Sequence, residues 1–239
     1  MYRSRLTQPL PSCFECEKKG DSFFCSLDRE DLDIISDQKN GNFYKKGQVI
    51  FYEGNHPQGL YCISSGKVKI HKLGDQGKDQ IVRFAGSSDI LGYRALLSDD
   101  LYSATATAME DSVICKISKE KFFEVLEKNQ ALSLKAIKML TNDLKRSEQK
   151  IIDITQKPVR ERIAEALLIL KESFGLKEDN QTLNTQLTRR EIGEIAGVTS
   201  ETTIRTLSDF NKEGIIELNK KDIVLTNLKA LVTIANICD

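Results

Sequence analysis

The chain has 239 residues, of which 40% are hydrophobic and 29% charged, with a formal net charge of +0. This is an ordinary soluble composition with room for one large domain or two smaller ones, and neither a membrane span nor an apolar signal segment is visible, so a cytoplasmic protein is expected. Neutrality excludes bulk attraction to nucleic acid: residues 156–239 carry 12 Lys and Arg against 13 Asp and Glu, so any DNA contact must come from local placement of charge.

Three of the six cysteines, Cys13, Cys16 and Cys25, crowd the front of the chain, while Cys62, Cys115 and Cys238 are scattered. In a reducing compartment they are not read as disulfides. From about residue 40 to 117, short β-type runs at 49–52, 60–63, 67–71 and 81–84 are broken by glycines. Short strands with turn signals at near-regular spacing predict an all-β roll or barrel.

From about residue 119 the period becomes helical. A short helix around Phe122, Phe123, Val125 and Leu126 precedes a long one over 132–155 that contains no Gly or Pro. In it Ile137, Leu140, Leu144, Ser147, Ile151 and Ile154 step by 3 and 4, the pattern of a coiled-coil seam. Lys135, Lys138, Asp143, Lys145, Arg146 and Lys150 make the opposite face polar, so the seam is read as a dimer interface. A core helix packed on its own domain is the plainer alternative. Pro158 ends this helix and can open the next, and the domain boundary is placed there.

Residues 187–205 read as helix, tight turn, helix. Thr188 with Glu191 forms a capping box, Gly197 suits a left-handed turn residue, and Thr199 suits the next N-cap. Ile204, Leu207 and Phe210 are expected to anchor the second helix, with Glu201 and Arg205 sharing a face at i, i+4. Such a pair can read base edges, the guanidinium on guanine and the carboxylate on cytosine. Residues 215–218 and 222–225 flank Asn219, Lys220 and Lys221, a β-hairpin wing with a basic tip for phosphate.

This order of β-roll, long helix and winged helix-turn-helix resembles the CRP/FNR family. The likeness is carried by the runs 47–54 and 60–69, the Asp89 to Gly92 turn, residues 188–193, and the Glu201/Arg205 pair, and it spans about residues 13–230. It implies an α+β fold with a cyclic-nucleotide-binding-type β-roll at 31–128 after a cysteine-bearing segment at 1–30. A dimerisation helix at 129–156 and a winged helix-turn-helix domain at 157–239 complete it. It further implies a homodimer on a palindromic double-stranded DNA site, with RNA polymerase as a partner. Arg189, Ser200, Glu201, Thr203, Arg205, Lys220 and Lys221 would be the DNA-facing residues.

The cyclic-nucleotide branch of the family has a Gly-Glu motif for ribose and an Arg before Ser or Thr for phosphate. Here Tyr93 follows Gly92, and Tyr102 precedes Ser103, so cyclic AMP binding in that manner is not expected. The FNR branch carries an N-terminal cysteine cluster and one distant cysteine, which hold an oxygen-sensitive 4Fe-4S cluster. Cys13, Cys16 and Cys25 match the first and Cys115 the second; four thiolates are the ligand set of such a cluster. The eight residues between Cys16 and Cys25 exceed the gap in the best-known FNR proteins. Zinc on the same four cysteines, or no metal and a small effector in the roll, are the alternatives. Cys62 and Cys238 are not expected as ligands, and His56 and His71 read as ordinary surface or strand residues. No nucleophile–base set, P-loop or kinase motif is present, so no enzyme is expected.

Overall fold

In the computed structural model, residues 13, 22–37, 39–74 and 79–236 are described. Cys16 and Cys238 lie outside them. The elements run α1 (Arg29–Asp37), β1 (Asn40–Tyr44), β2 (Val49–Phe51), β3 (Gly59–Ser65), β4 (Val68–Leu73), β5 (Asp79–Ala85), β6 (Ile90–Leu91), α2 (Tyr93–Ser98), β7 (Thr105–Ala108) and β8 (Ser112–Ser118). Then follow α3 (Lys119–Lys128), α4 (Gln130–Gln156), α5 (Val159–Phe174), α6 (Arg189–Ala196), α7 (Ser200–Lys212), β9 (Glu217–Asn219), β10 (Asp222–Val224) and α8 (Leu228–Ala235). Among the described residues no helix is long and apolar enough to cross a membrane.

Two compact units emerge, residues 1–72 with 83–144, and 73–82 with 145–239. The division between these units falls inside α4; Pro158 stands at the N-cap of α5, opening that helix as expected.

The expected roll consists of two four-stranded sheets, ordered β1-β8-β3-β6 and β2-β7-β4-β5. Alternation along β3 and β8 sends side chains to two different cores. Tyr61, Ile63 and Ile114 join Ile50, Val68 and Tyr102 between the sheets. Leu60 and Ile117 join Phe24, Leu32, Phe122 and Leu132 on the outer side, under α1, α3 and α4. Gly66, at φ 97, turns β3 into β4, and a Cβ there would stand 2.1 Å from Ser112 Oγ, so only glycine fits.

In the second unit α5 packs against α6, α7 and α8. Ile163, Leu167 and Leu170 of α5 are fully buried, as are Ile192, Leu207, Phe210 and Leu231. The hairpin of β9 and β10 pairs Asn219 with Asp222 and leaves Lys220 and Lys221 as a two-residue tip. The helices α1, α2 and α8 are additions to the sequence-based expectation.

Candidate functional site

The helix-turn-helix is built from its caps inward. Thr188 Oγ1 accepts from the Glu191 amide at 3.2 Å, and the Thr188 amide donates to Glu191 Oε2 at 3.0 Å. This closes the capping box that starts α6. Gly197 follows at φ 66, ψ 42, the left-handed corner. Thr199 then caps α7, accepting from the Thr202 amide at 3.3 Å. Arg162, reaching from α5, donates from Nη1 to the carbonyls of Ala196 and Gly197 at 3.2 Å each. The turn is therefore pinned by a residue for which the sequence reading had no signal.

Two expectations for α7 are corrected. Ile204 is 54% exposed and anchors nothing; Thr203, Thr206, Leu207 and Phe210 form the buried face. Thr203, expected to face DNA, is 0% exposed. Its Oγ1 donates to the Thr199 carbonyl at 2.9 Å, and its side chain closes over Gly193. The exposed face carries Glu201, Ile204 and Arg205, with Ser200 half-buried at its start. Arg189 is half-buried at the first turn of α6, where desolvation lowers its pKa from the usual arginine value. Lys220 and Lys221 are exposed at the wing tip, Lys220 with φ 55.

In the first unit one pocket is lined by Cys13, Cys62 and Cys115, with Ser22, Phe24, Leu32, Ile90 and Ile117 among its walls. The amide of Cys13 donates to Ser36 Oγ at 2.8 Å, which ties Cys13 to α1. Cys25 is exposed, is not part of the lining, and its Sγ accepts from Lys135 Nζ at 3.0 Å. Its amide donates to the carbonyl of Ser22 at 3.1 Å, so it stands one hydrogen-bonded turn from the pocket wall. The pocket thus gathers two of the four expected thiols, Cys13 and Cys115, together with Cys62, which was not expected to be a ligand. Among the described residues no three Cys, His, Asp or Glu side chains are placed to grip a metal ion. The donor chemistry still suits an iron–sulfur group: soft sulfur donors open on an apolar recess.

Three aromatic rings, those of Phe51, Tyr61 and Tyr102, pack into the core between the sheets. Tyr102 stacks on Phe51 at 4.0 Å between centroids, and Phe51 lies 5.5 Å from Tyr61. Burial pushes the Tyr102 hydroxyl far up from the usual tyrosine pKa. Gly92, at φ 82, lies against the Tyr102 ring: a Cβ there would stand 3.3 Å from Tyr102 Cε1. His71 Nε2 is hydrogen-bonded with Thr107 Oγ1 at 3.0 Å, a strand contact.

Along α4, Ile137, Leu144, Ile151 and Ile154 are exposed large hydrophobics, and Ser147 is exposed among them. Leu140 is half-buried against the outer core. Asp143 is corrected from the polar face to the interior. It is buried, accepts from the Tyr93 hydroxyl, and lies 3.0 Å from Arg94 Nη2.

Comparison with known proteins agrees with this architecture. A cyclic nucleotide-binding domain model matches residues 42–129, and a Crp-like helix-turn-helix domain model matches residues 161–234. The fumarate and nitrate reduction regulatory protein of Salmonella typhi is 30% identical over 207 residues, 86% of this chain and 82% of its own length. Its counterpart in Vibrio cholerae is 29% identical over 209 residues, 87% of this chain and 82% of that protein. Among solved structures, FixK2 of Bradyrhizobium japonicum has a TM-score of 0.74 at 24% identity, over 84% of this chain and 99% of that one. Such relatives are transcription regulators, not enzymes, and the chain belongs with them to the CRP/FNR family.

Proposed function

We propose that this regulator senses oxygen or redox state through a 4Fe-4S cluster and binds a palindromic operator as a homodimer. The observation that carries the reading is the shared pocket of Cys13 and Cys115, about a hundred residues apart in sequence. Relatives named as fumarate and nitrate reduction regulators support it. Cys13, Cys16, Cys25 and Cys115 would hold the cluster. When bound, it would supply iron–sulfur chemistry that reacts with oxygen or nitric oxide. The chain's own part is to shield it: Phe24, Leu32, Ile90 and Ile117 keep water from the recess. Cyclic AMP is disfavoured, because Tyr102 stands where a phosphate-binding guanidinium would be and its ring is buried against Phe51.

On DNA, Arg205 would fork onto guanine, Glu201 would accept from cytosine, and Ser200 would stand beside them. Lys220, Lys221 and Arg189 would meet phosphates. The stripe of Ile137, Leu144, Ser147, Ile151 and Ile154 would join two copies, making the second half-site contact intramolecular and raising affinity. RNA polymerase would be met from this DNA-bound dimer in the cytoplasm.

The test is iron and acid-labile sulfide analysis, with an absorption spectrum, on protein purified without oxygen. About four irons per chain and a brown colour that bleaches in air are expected. A colourless protein, still without metal after anaerobic reconstitution, would end the iron–sulfur reading and leave the DNA-binding assignment untouched.

A further inference from the structure

Strand pairing places Cys62 directly opposite Cys115. The register of β3 and β8 pairs Leu60 with Ile117, Tyr61 with Lys116, and Cys62 with Cys115. On the flanks, β1 sets Gly41 beside Cys115, and β6 sets Ile90 beside Cys62. One row of the sheet therefore reads Gly41, Cys115, Cys62, Ile90. Side chains directly opposite in an antiparallel pair leave the same face of the sheet. For this pair that face looks into the pocket both cysteines line. Gly41 contributes no side chain to this row.

Both residues are held as thiols. Opposed residues in an antiparallel ladder have Cα atoms about 4.5 or about 5.5 Å apart. A disulfide needs about 4.4–6.8 Å between Cα atoms and about 3.5–4.5 Å between Cβ atoms. Either ladder position satisfies the first condition, and the second asks for an approach of about 1 Å at most. Exposure also differs: Cys62 is half-buried and Cys115 is 8% exposed.

We propose that Cys62 and Cys115 form a reversible cross-strand dithiol/disulfide couple in the pocket. The oxidant is a small disulfide of the glutathione type. The Cys62 thiolate, the more accessible, attacks one sulfur of that disulfide and releases one small thiol. The Cys115 thiolate then attacks the Cys62 sulfur of the mixed disulfide and releases the second. The two protein thiols are oxidised by two electrons, the small disulfide is reduced to two thiols, and the two protons leave with them. The couple stands on strand register alone. One consequence rests on the iron–sulfur reading: a Cys115 locked in a disulfide has no thiolate to give a cluster, so the oxidised pair blocks cluster uptake until it is reduced.

The experiment uses the full chain, stripped of metal with a chelator under anaerobic conditions. It is equilibrated with oxidised or reduced glutathione, alkylated, and digested with trypsin without reduction. Trypsin isolates the two cysteines in separate peptides, residues 47–67 and 95–116, while Cys13 and Cys16 share a third, residues 6–18. The expected product is a joined pair of 47–67 and 95–116, two hydrogens lighter than their sum, absent from reduced samples and from Cys62→Ser. Full alkylation of both cysteines in oxidised glutathione overturns the proposal, as does pairing of either with 6–18 or a mixed disulfide on Cys62 that never resolves. Wild-type protein carries the decisive map, so a variant that fails to fold leaves the answer intact. Reconstitution with iron and sulfide separates the two readings. Uptake by reduced protein and none by oxidised protein supports the block, and equal uptake by both overturns it. No uptake by either, with the cross-link present, removes the cluster and keeps the couple.

Discussion

Replacing Gly193 by alanine tests whether the helix-turn-helix is packed as tightly as the structure has it. Gly193 lies inside α6, where alanine is favoured over glycine by about 1 kcal/mol. From propensity alone, Gly193→Ala should stabilise. The added Cβ, however, would stand 2.8 Å from Thr203 Oγ1 and 2.8 Å from the Val198 carbonyl oxygen. Neither neighbour yields easily. The Val198 carbonyl is backbone whose own amide bonds to the Gly193 carbonyl at 3.0 Å, and Thr203 is held by its bond to Thr199. Overpacking of this kind costs about 1–3 kcal/mol, so the net effect is a loss of about 1 kcal/mol, with α7 pushed away from α6. In a domain of roughly 60–100 residues that lowers Tm by about 4–8 °C. Calorimetry of wild type and variant reads the shift, and operator affinity should fall with it. Adding Thr203→Ala removes one of the two contacts, so the cost of the glycine substitution should shrink in that background. A higher Tm for Gly193→Ala would refute the packing argument, because propensity would then have won with room to spare.

Arg205→Ala should weaken operator binding by about 1–3 kcal/mol and relax discrimination at one base pair, read by anisotropy on intact and substituted sites; equal weakening on every sequence would reassign Arg205 to phosphate. Ile151, 64% exposed, should be covered in the dimer, so Ile151→Lys removes it twice and costs about 3 kcal/mol or more, raising the dimer dissociation constant at least about a hundredfold by sedimentation. An unchanged dimer would move the interface off α4. Asp143→Ala strands the Tyr93 hydroxyl and the Arg94 guanidinium; because Arg94 is 43% exposed, the loss by urea unfolding should be about 2 kcal/mol rather than the full cost of breaking a buried pair. The Asp179 carboxylate accepts from Thr182 Oγ1 and from the amides of Thr182 and Gln181 at 2.8 and 3.0 Å, which pulls its pKa from 3.8 to about 2. A depressed carboxylate stabilises above its unfolded pKa, so that contribution should fade as pH drops from about 4 to about 2. Asp179→Asn should flatten this part of the stability profile, and an NMR titration midpoint near 4 would contradict the geometry.

The sequence made legible what depends on near neighbours along the chain. The Thr188–Glu191 box, Gly197, the Thr199 cap and the wing tip each need only a few residues to be recognised, and each stands where expected. The placement of Cys62 opposite Cys115 was out of reach because it depends on a register between β3 and β8 that no local signal specifies. Thr203 and Ile204 were exchanged for a related reason: a threonine that satisfies its hydroxyl on the Thr199 carbonyl can sit in a core, and an isoleucine can stay outside. The long helix is the most instructive case. Its visible stripe, Ile137, Leu144 and Ile151, recurs every seven residues and is exposed. A second face, Leu132, Ala136 and Asp143, steps by four and seven and is buried. An alanine and a carboxylate do not look like an apolar stripe, so the helix reads as having one working face when it has two. The rotation of α4 about its axis is set by that hidden face. Asp143 can be buried because Tyr93 and Arg94 supply its hydrogen bonds, and with it in place the other stripe is turned outward. Which hydrophobic residues the helix turns to solvent is therefore decided by a residue that hydropathy alone assigns to solvent.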